Sequence, residues 1–258
     1  MEIIGIIPSR YESSRFPGKP LADICGKTMI ERVYRRACEA LDTVIVATDD
    51  IRIADEVERF GGNVMMTSSE LRSGTERCAA VVSMLERMPD AVINIQGDEP
   101  LIEPSDIRLV KTSLECGSAP IATLARRFDP DDGFEALFSP DSPKVVMDAE
   151  MNALYFSRSI IPYVRDVPWQ EWVRHTSYHI HVGLYGYRTD VLQKIASLPP
   201  ADIELSESLE QLRWLHAGYR VKVMITENRP HGVDTPADIA GVVARLNGEN
   251  RNILSKQK

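Results

Sequence analysis

Three short apolar runs, residues 2–7, 43–48 (Thr-Val-Ile-Val-Ala-Thr) and 91–95 (Ala-Val-Ile-Asn-Ile), alternate with amphipathic stretches, and this restricts the fold more than any other feature of the chain. Apolar runs of this length bounded by turn residues suit buried strands. The stretches between them have helical spacing. Thr28 precedes a stripe of Met29, Ile30, Val33, Tyr34 and Ala37, with Glu31 in the first turn, which predicts an N-capped helix. A second helix is predicted from Ile51 to Phe60, stopping at Gly61-Gly62, and a third from near Ser73; a weaker strand lies at 64–67. Such an order predicts a parallel sheet covered by helices on both faces. From residue 119 the pattern changes. Segments 119–128, 143–148, 153–158, 178–187 and 220–226 alternate like longer strands and predict a mixed or antiparallel extension. Helices near 206–217 and 236–246 follow, then a polar tail from Asn247 to Lys258 that is expected to fray.

Ligands of parallel sheets bind beyond the carboxyl ends of the strands. The loop after residue 7, the Asp49-Asp50 turn and the Gln96-Gly97-Asp98-Glu99-Pro100 turn all leave strands, so all three are expected to open on one crevice. The first is the most telling. In Pro8-Ser9-Arg10-Tyr11 through Pro17-Gly18-Lys19-Pro20, the cations Arg10, Arg15 and Lys19 share an exposed loop with Ser13, Ser14 and Gly18. Fixed cations and small residues that let backbone N–H groups approach are what a polyphosphate requires. Pro20 follows Gly18-Lys19, so this is not a Walker A loop, and no G-x-G-x-x-G occurs. The plainer alternative is a solvated basic loop. Asp98, at a strand end, suits magnesium, which takes one or two carboxylates plus substrate phosphates, though an ordinary acidic turn has the same residues. Ser73-Gly74-Thr75-Glu76-Arg77 offers a helix start to a polar base or phosphate, or is a plain N-cap. Asp234, in Gly232-Val233-Asp234-Thr235-Pro236, is either a second metal ligand or part of an ordinary helix start.

Composition narrows the partners. The 258 residues, 43% apolar and 26% charged, are those of one large soluble domain, and a net charge of −8 disfavours nucleic-acid binding. No apolar run reaches membrane-spanning length, so membrane insertion is not expected, and the N-terminus has no signal pattern. Cys25, Cys38, Cys78 and Cys116 are scattered with no C-x-x-C pair, which fits a reducing cytoplasm. His179 and His181 share a strand face but lack a third zinc ligand. Asp49-Asp50 suits a helix cap more than a part in the site, and Trp169 and Trp172 suit packing or a subunit interface more than a base-stacking platform.

Taken together the motifs resemble the 3-deoxy-manno-octulosonate (Kdo) cytidylyltransferases, or CMP-Kdo synthetases, from residue 3 to about residue 246. Besides those above, the resemblance runs through Val46-Ala47-Thr48-Asp49, Asn94-Ile95-Gln96, Ala153-Leu154-Tyr155-Phe156-Ser157-Arg158, His181-Val182-Gly183-Leu184-Tyr185-Gly186-Tyr187-Arg188 and Leu209-Glu210-Gln211-Leu212-Arg213. Ser9 departs from the family's usual alanine, and a small residue still fits.

The resemblance implies transfer of CMP from CTP to Kdo with release of pyrophosphate, for lipopolysaccharide biosynthesis. It also implies magnesium dependence and a homodimer. The implied fold is α/β and nucleotide-diphospho-sugar transferase-like (Rossmann-like): a mixed sheet with helices on both faces and a smaller antiparallel dimerisation subdomain. It implies one domain over 1–246, with CTP bound mainly by 1–118, the sugar acid and the dimer contact mainly by 119–246, and 247–258 as a tail. Residue by residue, Arg10 and Lys19 are expected on the triphosphate, Ser73 and Arg77 on the cytidine, and Asp98 and Asp234 on magnesium. Arg15, Gln96, Arg158, His181, Tyr185, Glu210 and Gln211 are expected around the sugar acid. Two rivals remain: a cytidylyltransferase for a related acid such as 8-amino-Kdo, and a non-catalytic nucleotide-binding module.

Overall fold

The computed structural model describes residues 1–13 and 15–256; Ser14 of the expected phosphate loop and the last two residues of the tail lie outside the described residues. The chain forms two compact units. The first comprises Ile3–Pro89, Asn94–Ile107 and Pro230–Lys258, and the second Met1–Glu2, Asp90–Ile93 and Arg108–Arg229.

The first unit is built on β1 (Ile3–Ser9), a small hairpin of β2 (Asp23–Ile24) and β3 (Lys27–Thr28), α1 (Met29–Cys38), β4 (Val44–Thr48), α2 (Ile51–Arg59), β5 (Val64–Met66) and α3 (Gly74–Met84). Strand β1 runs parallel to β4, from Gly5↔Val44 to Ser9↔Thr48, and β4 runs parallel to β5. Every residue of β4 is buried, as expected for a parallel strand covered on two faces. The helices start where side chains cap them: Thr28 accepts from the Glu31 amide, Asp50 from Arg52 and Ser73 from Glu76. Strand β6 (Ala91–Asn94) and helix α4 (Pro104–Cys116) follow.

The second unit contains β7 (Ile121–Arg127), β8 (Lys144–Met147), β9 (Ala153–Ser157), the short α5 (Trp172–His175), β10 (His179–Arg188), α6 (Thr189–Ala196), α7 (Asp202–Glu207), α8 (Gln211–His216) and β11 (Val221–Thr226). Strand β10 is antiparallel to β7, β8 is antiparallel to β9, and β11 is parallel to β7, so the predicted mixed extension is present. Gly186 lets α4 lie on β10: a Cβ there would stand 2.5 Å from Val110 Cγ1 and 2.7 Å from Leu114 Cδ1.

The final helix, α9 (Asp238–Lys256), belongs to the first unit and continues past Asn247, where fraying was expected. Val242 packs with Ile24, Met29 and Val233, and Phe16 and Ile239 border the cluster. This small core seats the segment carrying Asp234 against the hairpin after the basic loop. The helix expected over 206–217 is two helices, because Ser208 takes a left-handed conformation (φ 50°) that ends α7.

Candidate active site at the strand ends

The loop leaving β1 folds back on its own start. The Gly18 amide donates to the Tyr11 carbonyl at 2.9 Å and the Lys19 amide to Phe16 at 3.2 Å. Gly18 has φ +73°, and a Cβ there would lie 3.1 Å from the Tyr11 ring, so position 18 needs glycine twice over. Arg52 sits 3.3 Å from the centroid of that ring, and its guanidinium makes two hydrogen bonds to Asp50, at 2.9 and 2.6 Å. The loop is thus pinned from the start of α2.

Lys19 opens a 3-10 turn over buried Pro20 and turns its ammonium inward. It donates to Asp98 Oδ2 at 2.8 Å and to the Val233 carbonyl at 2.9 Å. The Val233 amide in turn donates to the Asp98 carbonyl at 2.9 Å. Two carboxylate-bearing segments far apart in sequence are therefore joined through one lysine and one backbone bond. Arg15 Nη2 completes the arrangement with Asp234 Oδ1 at 2.8 Å. Gly97 permits the close approach beneath them, since a Cβ there would stand 2.9 Å from the Pro8 carbonyl oxygen. Arg10, Arg15, Lys19, Gln96, Asp98 and Asp234 line one cleft of about 410 Å³. The expected exposed loop is corrected for Lys19, whose side chain is only 14% exposed because it serves these two acceptors.

Glu99 had no predicted role. It is half-buried and accepts from the His231 amide at 3.0 Å, fixing the chain just before Val233. Burial, with the negative charge of Asp98 next, pushes its carboxyl up to about 7. The signal for Glu99 was its place in the Gln96–Pro100 turn.

The predicted cytidine pair lies deeper. Ser73 caps α3, as the plainer reading had it. Arg77 is 1% exposed; it donates through Nη1 to Thr67 Oγ1 and through Nη2 to Asp49 Oδ2 at 2.9 Å. The same Asp49 oxygen stands 4.0 Å from Arg10 Nε. Neither Ser73 nor Arg77 is among the residues lining the cleft. Arg77 instead supports Asp49, which faces Arg10, while Asp50 is the helix cap.

The other predicted residues are in the second unit. His181 Nε2 stands 3.1 Å from Thr123 Oγ1, and that hydroxyl donates to the Leu184 carbonyl at 2.9 Å. With the hydroxyl proton so placed, we assign the imidazole proton to Nε2, which leaves Nδ1 as an acceptor. Burial lowers the His181 pKa to about 3, so the ring is neutral. Its ring packs on Phe156 and Tyr185, and Tyr185 meets Trp214 of α8 edge-on at 5.0 Å. Gln211 is buried at the start of α8 beside Glu210, so these four predicted residues share one neighbourhood. Arg158 is engaged by backbone. Its guanidinium donates to the carbonyls of Glu207 (2.6 Å), Pro140 (2.6 Å) and Ser208 (3.2 Å), which makes it a clamp on the turn into α8.

Among the described residues no group of three or more His, Cys, Asp or Glu gathers to hold a metal. Asp98 and Asp234 nevertheless offer hard oxygen donors on one cleft, the set that magnesium shares with substrate phosphates.

A family model described as cytidylyltransferase matches residues 4–224. The chain is 52% identical over 247 residues to the 3-deoxy-manno-octulosonate cytidylyltransferase of Parabacteroides distasonis, covering 95% of this chain and 98% of that one. The chain belongs to the 3-deoxy-manno-octulosonate cytidylyltransferase family. The family member from Phocaeicola vulgatus is 53% identical over 246 residues, with coverage of 95% and 98%. Among solved structures, CMP:2-keto-3-deoxy-manno-octonic acid synthetase complexed with CTP matches with a TM-score of 0.87 at 41% identity, covering 96% of this chain and 100% of that one. The 4-diphosphocytidyl-2C-methyl-D-erythritol synthase of Anaerococcus prevotii, at 15% identity and a TM-score of 0.60 over 95% and 98% of the two chains, shares the fold. The expected nucleotidyltransferase fold is thus present in this family member.

Proposed function

We propose that this protein transfers CMP from CTP to the anomeric hydroxyl of Kdo, releasing pyrophosphate, with magnesium as cofactor. The observation that carries this reading is the cleft in which Arg10, Arg15 and Lys19 meet Asp98 and Asp234. The names of the relatives support the choice of substrates.

In the reaction the anomeric oxygen forms a bond to the α-phosphorus and gives up its proton to solvent water. The bond from that phosphorus to the bridging oxygen breaks, and pyrophosphate leaves. The protein has no covalent step to perform. Its work is to align two anions and offset developing charge. Arg10 and Lys19 stabilise the triphosphate and the leaving pyrophosphate. Asp98 and Asp234 would hold the magnesium ion, which supplies charge stabilisation to phosphate oxygens when bound. Arg77, through Asp49, keeps Arg10 aimed, and the capped start of α3 supports the cytidine. Neutral His181 offers an acceptor to a sugar hydroxyl, with Tyr185, Glu210 and Gln211 around it. Arg158 keeps the turn before Glu210 in place.

We place the reaction in the cytoplasm, serving lipopolysaccharide biosynthesis, and assign a homodimer formed through the second unit. Four free cysteines agree with a reducing compartment. Exposed Phe138, Tyr163 and Trp169 of the second unit agree with a subunit contact. The test is pyrophosphate release from CTP and Kdo, with CMP-Kdo identified by mass. Magnesium-dependent product, with CTP far ahead of ATP and GTP, is expected. No product, or equal turnover of ATP, overturns the reading, and a higher kcat/KM with 8-amino-Kdo reassigns the sugar.

A further inference from the structure

Ser9 is the last residue of β1, paired in register with Thr48, and it lines the cleft beside Arg10, Lys19 and Asp98. It is 4% exposed, and its hydroxyl has no hydrogen-bond partner among the described residues. A buried hydroxyl without a partner is destabilising, and native structures rarely keep one. Alanine fits the same space without that penalty. The neighbouring Arg10 presents a second group of the same kind, because its Nη2 is buried and unpartnered too. A guanidinium nitrogen only donates, and a serine hydroxyl can donate. A single ligand that completes both must bring acceptors to the two places at once. Phosphate oxygens do so, and the cations of the same cleft select for them.

We propose that the Ser9 hydroxyl is a nucleotide-binding group that donates a hydrogen bond to a phosphate oxygen alongside Arg10 Nη2. This rests on the nucleotide site proposed above. The hydroxyl is maintained against the stability of the free protein because it is completed only when the polyphosphate is bound.

This predicts opposite shifts in two measurements on Ser9→Ala. Without nucleotide, the variant unfolds at a higher temperature than wild type, since an unpartnered hydroxyl has been removed. Its Kd for CTP, measured by calorimetry with magnesium and no Kdo, rises about tenfold, equivalent to about 1.4 kcal/mol. Inorganic tripolyphosphate, used as a probe that lacks the nucleoside, weakens by a similar factor. An unchanged CTP affinity overturns the proposal. So does a lower unfolding temperature, which makes Ser9 a packing residue. Weaker CTP with unchanged tripolyphosphate places the contact on the nucleoside and overturns the phosphate assignment. Failure of the wild-type protein to bind CTP refutes the nucleotide site itself, which separates that outcome from failure of Ser9 alone.

Discussion

Removing the carboxylate of Asp49 should destabilise the whole protein, although Asp49 sits in a turn. Its partner Arg77 is 1% exposed, and the Asp49 side chain is 15% exposed. Around that one carboxylate stand two guanidinium groups, Arg77 at 2.9 Å and Arg10 at 4.0 Å. Asp49→Ala leaves a positive charge in the interior, still hydrogen-bonded to the Thr67 hydroxyl. Breaking a buried pair from one side costs about 3–5 kcal/mol, and the residual exposure of Asp49 puts the expected loss near 3 kcal/mol. Asp49→Asn retains an acceptor oxygen and should lose about 1–2 kcal/mol. Replacing both partners by Asp49→Leu with Arg77→Met should recover much of the loss, because no charge is then left unpaired. Urea unfolding followed by circular dichroism gives these differences from midpoints at unchanged slope. A loss under about 0.5 kcal/mol for Asp49→Ala, or a double variant whose losses simply add, refutes the pairing argument.

His181 makes the protein acid-labile: its folded pKa of about 3 lies below the ordinary 6.5, so the unfolded chain binds the extra proton and stability falls as pH drops through 6.5 toward 3. That group alone should remove about 2 kcal/mol between pH 7 and pH 5, and urea midpoints of His181→Gln should lose that part of the pH slope. Arg10→Ala should lower kcat by roughly 10²–10³-fold, with little effect on unfolding because the side chain is 39% exposed. Lys19→Gln should show a similar kinetic loss plus a stability loss of about 1–3 kcal/mol by urea unfolding, since Asp98 and the Val233 carbonyl lose their charged donor.

Strands were legible because alternation and apolar runs report burial locally. The expected segments 119–128 and 178–187 correspond to β7 and β10 within a few residues. Helix α4 carries a local signal as well, in Ile107, Val110 and Leu114 behind Pro104. The split between α7 and α8 had no local signal. It depends on Glu207 accepting from Ser157 Oγ and from the Arg158 amide, about fifty residues earlier. In the site, Arg10, Lys19, Asp98 and Asp234 were legible because strand ends and helix starts dictate where such residues gather. The burial of Arg77 had no local signal, because it is decided by Thr67 and Asp49, which belong to other elements. The contacts of Arg158 had none for the same reason: three carbonyls from two loops engage it.

Steady-state formation of CMP-Kdo across a magnesium titration, for wild type, Asp98→Asn, Asp234→Asn and the double variant, tests the shared cleft most directly. Residues that act as a unit do not lose activity independently. If Asp98 and Asp234 hold one magnesium ion, each single variant should lose most turnover and need more magnesium. The double variant should then fall little below the worse single one. Losses that multiply, or an Asp234→Asn variant close to wild type at every magnesium concentration, contradict the account.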